Sequence, residues 1–296
     1  MDGIVDEFNK HNLKIFGPSK KYALLEGSKV FSKEFMKHYD IPTADYQMFS
    51  SGNEAKDFIK DKQHPIVIKA DGLAAGKGVV VSQSKNQSFE AIDELLASNH
   101  SDHIVIEEFL SGQELSAIYV CNFKGCSYEI ALPWTKDYKS RDEYNSGPNT
   151  GGMGAVSPSP HETDVLRDQI MSTIITPVAI GMAAEGCPYN GVLYAGLMLT
   201  EDGPKVIEFN CRFGDPEAQV VLPRLKSDFL SAALTVVEGG LENFDLRWID
   251  QTAVTVVMAA DGYPGSYQKG QPINGADQLE TADGSLIFHA GTASAD

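Results

Sequence analysis

A glycine-rich loop between two short apolar segments constrains this chain more than any other feature. The loop reads Lys-Ala-Asp-Gly-Leu-Ala-Ala-Gly-Lys-Gly from Lys69 to Gly78, and three valines follow it at 79–81. Two β-rich segments joined in this way predict a strand–turn–strand unit. Glycines let backbone N–H groups approach phosphate oxygens, and lysines supply positive charge. The loop is therefore a candidate phosphate-binding element, with a plain hairpin turn as the alternative.

Two familiar phosphate-binding loops are excluded by the spacing. In a P-loop the second glycine stands five positions after the first, and Lys and then Ser or Thr follow it. Here Gly76 comes four positions after Gly72, and Gly78 stands in place of the hydroxyl residue. The dinucleotide-binding pattern fails because Val81 occupies the position of its third glycine, and because a strand rather than a helix is expected next.

An apolar segment that ends in carboxylates forms the second candidate. Residues 104–110 read Ile-Val-Ile-Glu-Glu-Phe-Leu, with Glu107 and Glu108 at the end of the predicted strand, and Glu114 follows. Such a strand could hold adenine through its backbone and the ribose hydroxyls through Glu114. The alternative is an edge strand with solvated acidic side chains, which is the better interpretation for this segment taken alone.

The third candidate lies in residues 205–217. Glu208 and Asn210 are two positions apart on a predicted strand, so both side chains project from one face. A carboxylate and an amide oxygen suit Mg²⁺, which keeps several waters and binds nucleotide phosphates. Arg212 stands two positions further on, so its side chain is expected on the same side, where it can bind an anion in bidentate fashion. The alternative, the outward polar face of a half-exposed strand, stays open.

A polar stretch from Thr135 to Gly154 shows no regular period and is expected to be a long irregular loop. Its glycine-rich end at 147–154 follows Asp137 and Lys139. Long loops within compact domains are usually functional or disordered. We expect this one to close over an anionic or acyl-phosphate intermediate.

Charge and composition exclude several classes of protein. With 24 basic and 41 acidic residues the net charge is −17, which disfavours binding to nucleic acid or to an anionic membrane. No apolar run approaches the roughly 20 residues that a membrane span needs. Four cysteines without a C-x-x-C pair indicate reduced thiols in a cytoplasmic protein.

Three predictions concern local structure. The N-terminal residues are expected to form a helix end and a short buried strand at 13–16, as the remnant of a preceding α/β unit. Ser28 is expected to cap a helix whose aromatic residues recur every four positions. Residues 164–185 predict a long helix that bends at Pro177.

Taken together and in this order, these stretches resemble the ATP-grasp fold and, more closely, the phosphoribosylamine–glycine ligase family. The resemblance covers nearly the whole chain, and its last stretch, residues 207–217, is highly specific. The residues that carry it are Gly27-Ser28-Lys29, the stretches 69–78, 107–110, 147–154 and 207–217, and Tyr194-Ala195-Gly196-Leu197-Met198.

The resemblance implies an α+β fold in which two lobes clamp ATP. It places an N-terminal remnant and linker at 1–28, the ATP-grasp domain at 29–237 and a partial, β-rich C-terminal domain at 238–296. The flap lobe would span about 47–116 and the central lobe about 117–237. On this view the chain starts after most of the family's N-terminal unit and ends within its C-terminal domain.

The resemblance also implies an activity, namely ligation of glycine to 5-phosphoribosylamine through a glycyl phosphate, with ATP and Mg²⁺ (or Mn²⁺). The expected assembly is a monomer. The implied catalytic residues are Arg212, Lys69 and Asp215, with Glu208 and Asn210 as metal ligands. The implied ATP-binding residues are Lys29, Lys69, Gly72, Gly76, Lys77, Gly78, Glu107, Glu108, Leu110 and Glu114.

The chain departs from the family pattern in the polar loop. The family usually reads Asp-His-Lys-Arg and then Asp-Gly-Asp, whereas this chain has Asp137-Tyr138-Lys139-Ser140 and later Glu143-Tyr144-Asn145. Two alternatives therefore stay open. One is another ATP-grasp ligase that joins a different carboxylate to a different amine, and the other is a nucleotide-binding fragment without turnover.

Overall fold

The structure, a computed structural model, describes residues 2–72, 78–97, 102–123, 128–186, 189–279 and 284–294. Within these residues no helix combines the length and the apolar character needed to cross a lipid bilayer. The α-helices are α1 (Ile4–Lys10), α2 (Leu24–Gly27), α3 (Lys29–His38), α4 (Gly52–Ile59), α5 (Lys85–Ala97), α6 (Asp164–Ile170), α7 (Thr176–Ala184), α8 (Ala218–Val221), α9 (Phe229–Glu238) and α10 (Ala276–Leu279).

The strands belong to four antiparallel sheets. They are β1 (Tyr46–Phe49), β2 (Ile66–Ala70), β3 (Val79–Ser82), β4 (Ile104–Glu108), β5 (Gln113–Asn122), β6 (Tyr128–Ala131), β7 (Lys136–Asp137), β8 (Ser140–Asp142), β9 (Ser146–Asn149), β10 (Gly154–Ser157), β11 (Asn190–Thr200), β12 (Gly203–Asn210) and β13 (Ala253–Val256).

The flap lobe is a four-stranded sheet in the order β1-β4-β2-β3, packed against α4 and α5. Strands β2 and β3 pair in antiparallel fashion from Ile66 opposite Ser82 to Lys69 opposite Val79, which confirms the predicted strand–turn–strand unit. Residues such as Ile68 and Ile92 are fully buried between the sheet and the helices. One face of this sheet therefore packs on the two helices, and the other face lines the cleft.

The central lobe is built on a second four-stranded sheet, in the order β12-β11-β5-β6. Helices α3, α6 and α7 cover one face, and α8 and α9 cover the other. Alternate residues of β5 belong to the two different cores, with Tyr119 on one side and Ile118 and Val120 on the other. Burial on both faces explains why residues 117–121 of this strand are all apolar.

The two lobes meet along the segment before β1. Thr43 forms an isolated β-bridge with Val206 of β12, and its hydroxyl donates to the Val206 carbonyl oxygen at 2.6 Å. The Val206 amide in turn donates to the Pro42 carbonyl oxygen at 2.8 Å. These bonds attach the flap lobe to the strand that carries Glu208.

The predicted N-terminal strand is wrong. Residues 13–16 have no strand partner in the described part of the chain and run as an irregular segment. Leu13 is 54% exposed, whereas the Phe16 ring packs edge-on against Phe229 at 5.9 Å. A short apolar segment becomes a strand only when a neighbour pairs with its backbone groups.

The polar stretch is not an irregular loop, because it contains β7, β8 and β9 and leads into β10. Ala155 of β10 lies opposite Asp137 of β7, and β10 also pairs with β13. A two-residue strand held by partners distant in sequence has no local periodicity, so this pairing was not visible in the sequence.

The long helix is distorted before Pro177 rather than at it. A π-helical turn spans Met171–Ile175 between α6 and α7. Proline has no N–H for the carbonyl four residues back, and its ring clashes with that carbonyl. The backbone therefore widens in the preceding turn.

Candidate active site

A cavity of about 230 Å³ lies between the flap sheet and the central sheet. Six of the predicted site residues line it, and they come from both lobes. They are Lys69, Glu107, Glu108, Leu110, Glu114 and Glu208. Lys29, Asn210, Arg212 and Asp215 do not line it.

Lys69 is the buried cation of this cleft. Its residue is 5% exposed, and its ammonium lies 3.0 Å from Glu107 Oε2 and donates to the Ile207 carbonyl oxygen at 3.1 Å. A buried charge is costly unless it is paired. Glu107 provides that pairing, and the second bond brings the ammonium to the residue that precedes Glu208.

Lys33 is a second buried lysine, and it is not among the site residues predicted from the sequence. Its ammonium lies 3.3 Å from Glu107 Oε1 and donates to the Thr43 hydroxyl at 2.8 Å. Burial lowers the pKa of Lys33 to about 8, although Glu107 opposes the shift. Its spacing of four residues from Lys29 puts both lysines on one side of a helix, but only the position of Glu107 shows that Lys33 belongs to the site.

Lys29 reaches the start of the glycine loop. Its Nζ donates to the Gly72 carbonyl oxygen at 2.9 Å, and burial lowers the pKa of this lysine. Ser28 caps α3 by accepting from the Phe31 amide, as predicted, and also donates to Asp71. The helix start and the loop are thus bound to each other.

The glycine loop itself is described only at its ends. Gly72 has a φ of +89°, in the region that favours glycine, and the Gly78 carbonyl oxygen accepts from the Ala70 amide at 2.8 Å. Residues 73–77 lie outside the described residues. The predicted roles of Gly76 and Lys77 therefore stay predictions.

The end of β4 shows different environments for its two acidic side chains. Because the Glu107 carboxylate is held by the two buried lysines, a nucleotide base could be bound by this residue only through its backbone. The exposed Glu108 carboxylate accepts from the Asp45 amide at 3.1 Å and lies 3.4 Å from Lys205 Nζ. Leu110, half-buried, follows at the cavity wall.

The predicted metal ligands share one face of β12. Glu208 lies opposite Gly196 and Asn210 opposite Tyr194, and the Asn210 amide nitrogen is 3.5 Å from Glu208 Oε1. Within the described residues, no cluster of three His, Cys, Asp or Glu side chains could hold a metal by itself. A carboxylate and an amide oxygen fit Mg²⁺ that takes its other ligands from phosphate and water.

Arg212 and Asp215 do not form a pair. Arg212 Nε donates to Glu26 Oε1 at 3.0 Å, and its Nη2 donates to Asn210 Oδ1 at 3.4 Å. The Asp215 carboxylate instead accepts from the Gln219 side chain at 2.6 Å. Arg212 is therefore hydrogen-bonded to Asn210, one of the two predicted metal ligands, whereas Asp215 faces the start of α8.

A buried polar network forms part of the cavity wall, and only some of its residues were predicted from the sequence. The Tyr194 hydroxyl donates to Glu217 Oε1 at 2.8 Å and lies 2.8 Å from the Ser116 hydroxyl. Ser116 also reaches Asp137 at 3.4 Å, and Asp137 accepts from Lys139 at 2.6 Å. No local motif marks it, because its members come from separate elements.

Burial and neighbouring charges together control the ionisation of this network. Burial raises the pKa of Glu217, and the nearby Asp137 adds to the shift. Burial would lower the pKa of Lys139, but Tyr194, Asp137 and Glu114 outweigh it and raise that pKa well above its ordinary value. Lys139 therefore stays a cation, and its ammonium also lies 3.3 Å from Glu114, the predicted ribose ligand.

The glycine-rich end of the polar stretch packs against the segment that follows β12. Gly152 has a φ of +134°, and a Cβ placed there would lie 2.4 Å from Pro216 Cδ. Only a residue without a side chain fits this approach. Two of the stretches that carry the family resemblance, 147–154 and 207–217, are thus in contact.

Comparison with known proteins gives the same result along the chain and in three dimensions. The family described as "Phosphoribosylglycinamide synthetase, ATP-grasp (A) domain" matches residues 27–218, and its C domain matches residues 253–296. A phosphoribosylamine–glycine ligase of Halalkalibacterium halodurans is 48% identical over 98% of this chain and 67% of its own length. The chain thus spans about two thirds of this relative.

Solved structures agree. The crystal structure of phosphoribosylamine–glycine ligase from Thermotoga maritima superposes with a TM-score of 0.76 at 40% identity, over 86% of this chain and 64% of that one. N5-carboxyaminoimidazole synthase from Aspergillus clavatus, in complex with ADP and 5-aminoimidazole ribonucleotide, has a TM-score of 0.62 at 16% identity. The match covers 85% of this chain and 61% of that one. That second likeness concerns the fold alone. The chain belongs to the phosphoribosylglycinamide synthetase family of ATP-grasp proteins, to which the resemblance in its sequence pointed.

Proposed function

We propose that the chain ligates glycine to 5-phosphoribosylamine at the expense of ATP, giving glycinamide ribonucleotide, ADP and phosphate, a step of purine synthesis. The observation that carries the proposal is the position of Lys69. Its ammonium lies between Glu107 of the flap lobe and the Ile207 carbonyl of the central lobe. A cation is thus held where a phosphate chain would meet the strand that carries Glu208.

In the proposed first step, a carboxylate oxygen of glycine attacks the γ-phosphorus of ATP. The bond to the β-phosphate oxygen breaks, which gives glycyl phosphate and ADP. Lys29 and Lys69 bind the phosphates, and Glu114 binds the ribose. Glu208 and Asn210 hold Mg²⁺, or Mn²⁺, which when bound neutralises phosphate charge. Electrostatic stabilisation of this kind is the main contribution expected in phosphoryl transfer.

In the proposed second step, the amine of phosphoribosylamine attacks the acyl carbon, phosphate leaves, and the nitrogen loses a proton as the amide forms. Arg212 and Asp215 serve this acceptor side. The contact between Gly152 and Pro216 supports a role of the 147–154 segment in covering the intermediate. Exclusion of water matters here because an acyl phosphate hydrolyses readily.

The proposal includes a monomer acting in the cytoplasm on small molecules, without nucleic acid or membrane. The net charge of −17 supports the last two points. The described cysteines, Cys121 and Cys211, are both free thiols, which fits a reducing compartment.

The test is release of ADP from the chain with ATP, Mg²⁺ and glycine, with and without freshly generated phosphoribosylamine. We expect ADP release that requires both substrates and yields a product of the mass of glycinamide ribonucleotide. Lys56→Ala, which alters a flap-lobe lysine paired with Asp93 outside the cleft, is the matched control for site variants. ATP binding without glycine-dependent release would refute the proposal.

A further inference from the structure

Glu26 connects the segment before α3 to the end of β12. It lies on α2, and its side chain is 17% exposed. Its Oε2 accepts from the Cys211 amide at 2.8 Å, and its Oε1 accepts from Arg212 Nε at 3.0 Å. One carboxylate thus holds both the backbone after Asn210 and the side chain of Arg212.

The guanidinium of Arg212 is consequently fixed on three sides. Besides Glu26, the Phe213 carbonyl oxygen accepts from Nη1 at 2.9 Å, and Asn210 Oδ1 accepts from Nη2 at 3.4 Å. Of the five N–H groups of an arginine, two are left without an acceptor among the described residues. A planar group held in this way offers its remaining donors to an anion in a constant direction.

The contribution of the Glu26–Arg212 ion pair to folding stability does not explain this arrangement. The Arg212 side chain is 57% exposed, and ion pairs at such exposure contribute little to folding. Preorganisation of a donor, by contrast, matters for binding and for catalysis.

We propose that Glu26 is a positioning residue that orients Arg212 toward the anionic group of the acceptor. The inference rests on the proposed function in one respect only, namely that Arg212 serves the acceptor. Glu26 itself does not touch substrate. Its effect should therefore pass through Arg212 and disappear when Arg212 can no longer use it.

A double-mutant cycle tests this dependence with the variants Glu26→Gln, Arg212→Lys and the two combined. We expect Glu26→Gln to lower kcat/KM for phosphoribosylamine about tenfold, as for a lost charge-assisted hydrogen bond. KM for ATP should stay within about twofold. In the Arg212→Lys background the same change should have less than about a twofold effect. Effects that multiply would overturn the proposal.

Glu185→Gln is the matched control, since Glu185 forms a similar ion pair with Lys21 away from the cleft. A comparable loss of kcat/KM in that variant would mean that any missing carboxylate near this segment perturbs the fold, and the positioning role would be wrong.

A second measurement does not depend on turnover. The NMR signal of the Arg212 Nε–H proton is assigned by its absence in Arg212→Lys. We expect this proton to exchange slowly with water in the parent chain, and its exchange rate to be at least about fivefold higher in Glu26→Gln. Unchanged exchange would overturn the positioning role. Absence of glycine-dependent ADP release by the parent chain would instead refute the proposed function, while the exchange result would still decide the role of Glu26.

Discussion

Lys69 Nζ donates a hydrogen bond to the carbonyl oxygen of Ile207, 3.1 Å away and 138 residues later in the chain. Lys69 belongs to β2 of the flap lobe and Ile207 to β12 of the central lobe. This bond connects the start of the glycine loop to the strand that carries Glu208 and Asn210. The relative position of the two determines where a triphosphate can lie.

Replacement of Lys69 tests the assignment of the phosphate site. We expect Lys69→Met to weaken ATP binding by about a hundredfold, since it removes a charge-assisted contact to phosphate. Glu107 keeps Lys33 as its partner, so the fold should persist. Calorimetric titration with ATP measures the effect, and circular dichroism checks the fold. Equal affinity in Lys69→Met, Lys56→Ala and the parent would contradict the assignment.

Removal of the Glu208 charge tests the metal site. We expect Glu208→Gln to raise the Mg²⁺ concentration for half-maximal activity by about tenfold or more, because a neutral amide is a poorer ligand for a hard cation. The exposed Glu201, at the β11–β12 hairpin, provides the control variant Glu201→Gln. Mg²⁺ titration of ATP turnover gives the comparison. If both variants titrate like the parent, Glu208 is not a metal ligand.

The buried Lys33 predicts a specific dependence of stability on pH. Its pKa is about 8 in the folded state against 10.5 for an ordinary lysine. The unfolded chain thus binds more protons between these values, and the contribution of Lys33 to stability rises with pH there. Between pH 7.5 and 9.5, the free energy of unfolding of the parent should therefore rise by about 2 kcal/mol relative to that of Lys33→Met.

Urea unfolding of both proteins at the two pH values measures that difference. Lys37→Met, which alters an exposed lysine of the same helix and keeps Lys33, is the control, and its stability should rise with pH as that of the parent does. A constant difference between parent and Lys33→Met would mean that the Lys33 ammonium is not desolvated in the folded state.

Gly152 predicts a steric limit in the polar stretch. Gly152→Ala places a Cβ against Pro216 at a φ of +134°, and we expect it to lower the free energy of unfolding by about 2 kcal/mol or more. The neighbouring Gly151→Ala meets nothing closer than 3.8 Å and should cost less than about 1 kcal/mol. Equal stability of the two variants would show that the 147–154 segment does not pack on Pro216.

Local patterns in the chain were sufficient for part of the site. The period of two on β12 placed Glu208 and Asn210 on one face, and their side chains indeed lie within 3.5 Å of each other. The Ser28 cap and the β2–β3 unit were confirmed for the same reason, since helix capping and strand alternation depend on neighbours in sequence.

Residues that act through distant partners were not predictable in this way. Lys33 reads as an ordinary helix lysine until Glu107 is placed beside it, and Glu26 reads as part of a linker until it contacts Arg212. The Tyr194–Glu217 hydrogen bond likewise joins a strand to the turn before a helix.

The sequence alone determined which residue types stand at each strand end and loop, because spacing controls the face on which a side chain lies. Only the tertiary structure decided which charges are buried together, because desolvation and pairing depend on segments that come close only when the two lobes pack.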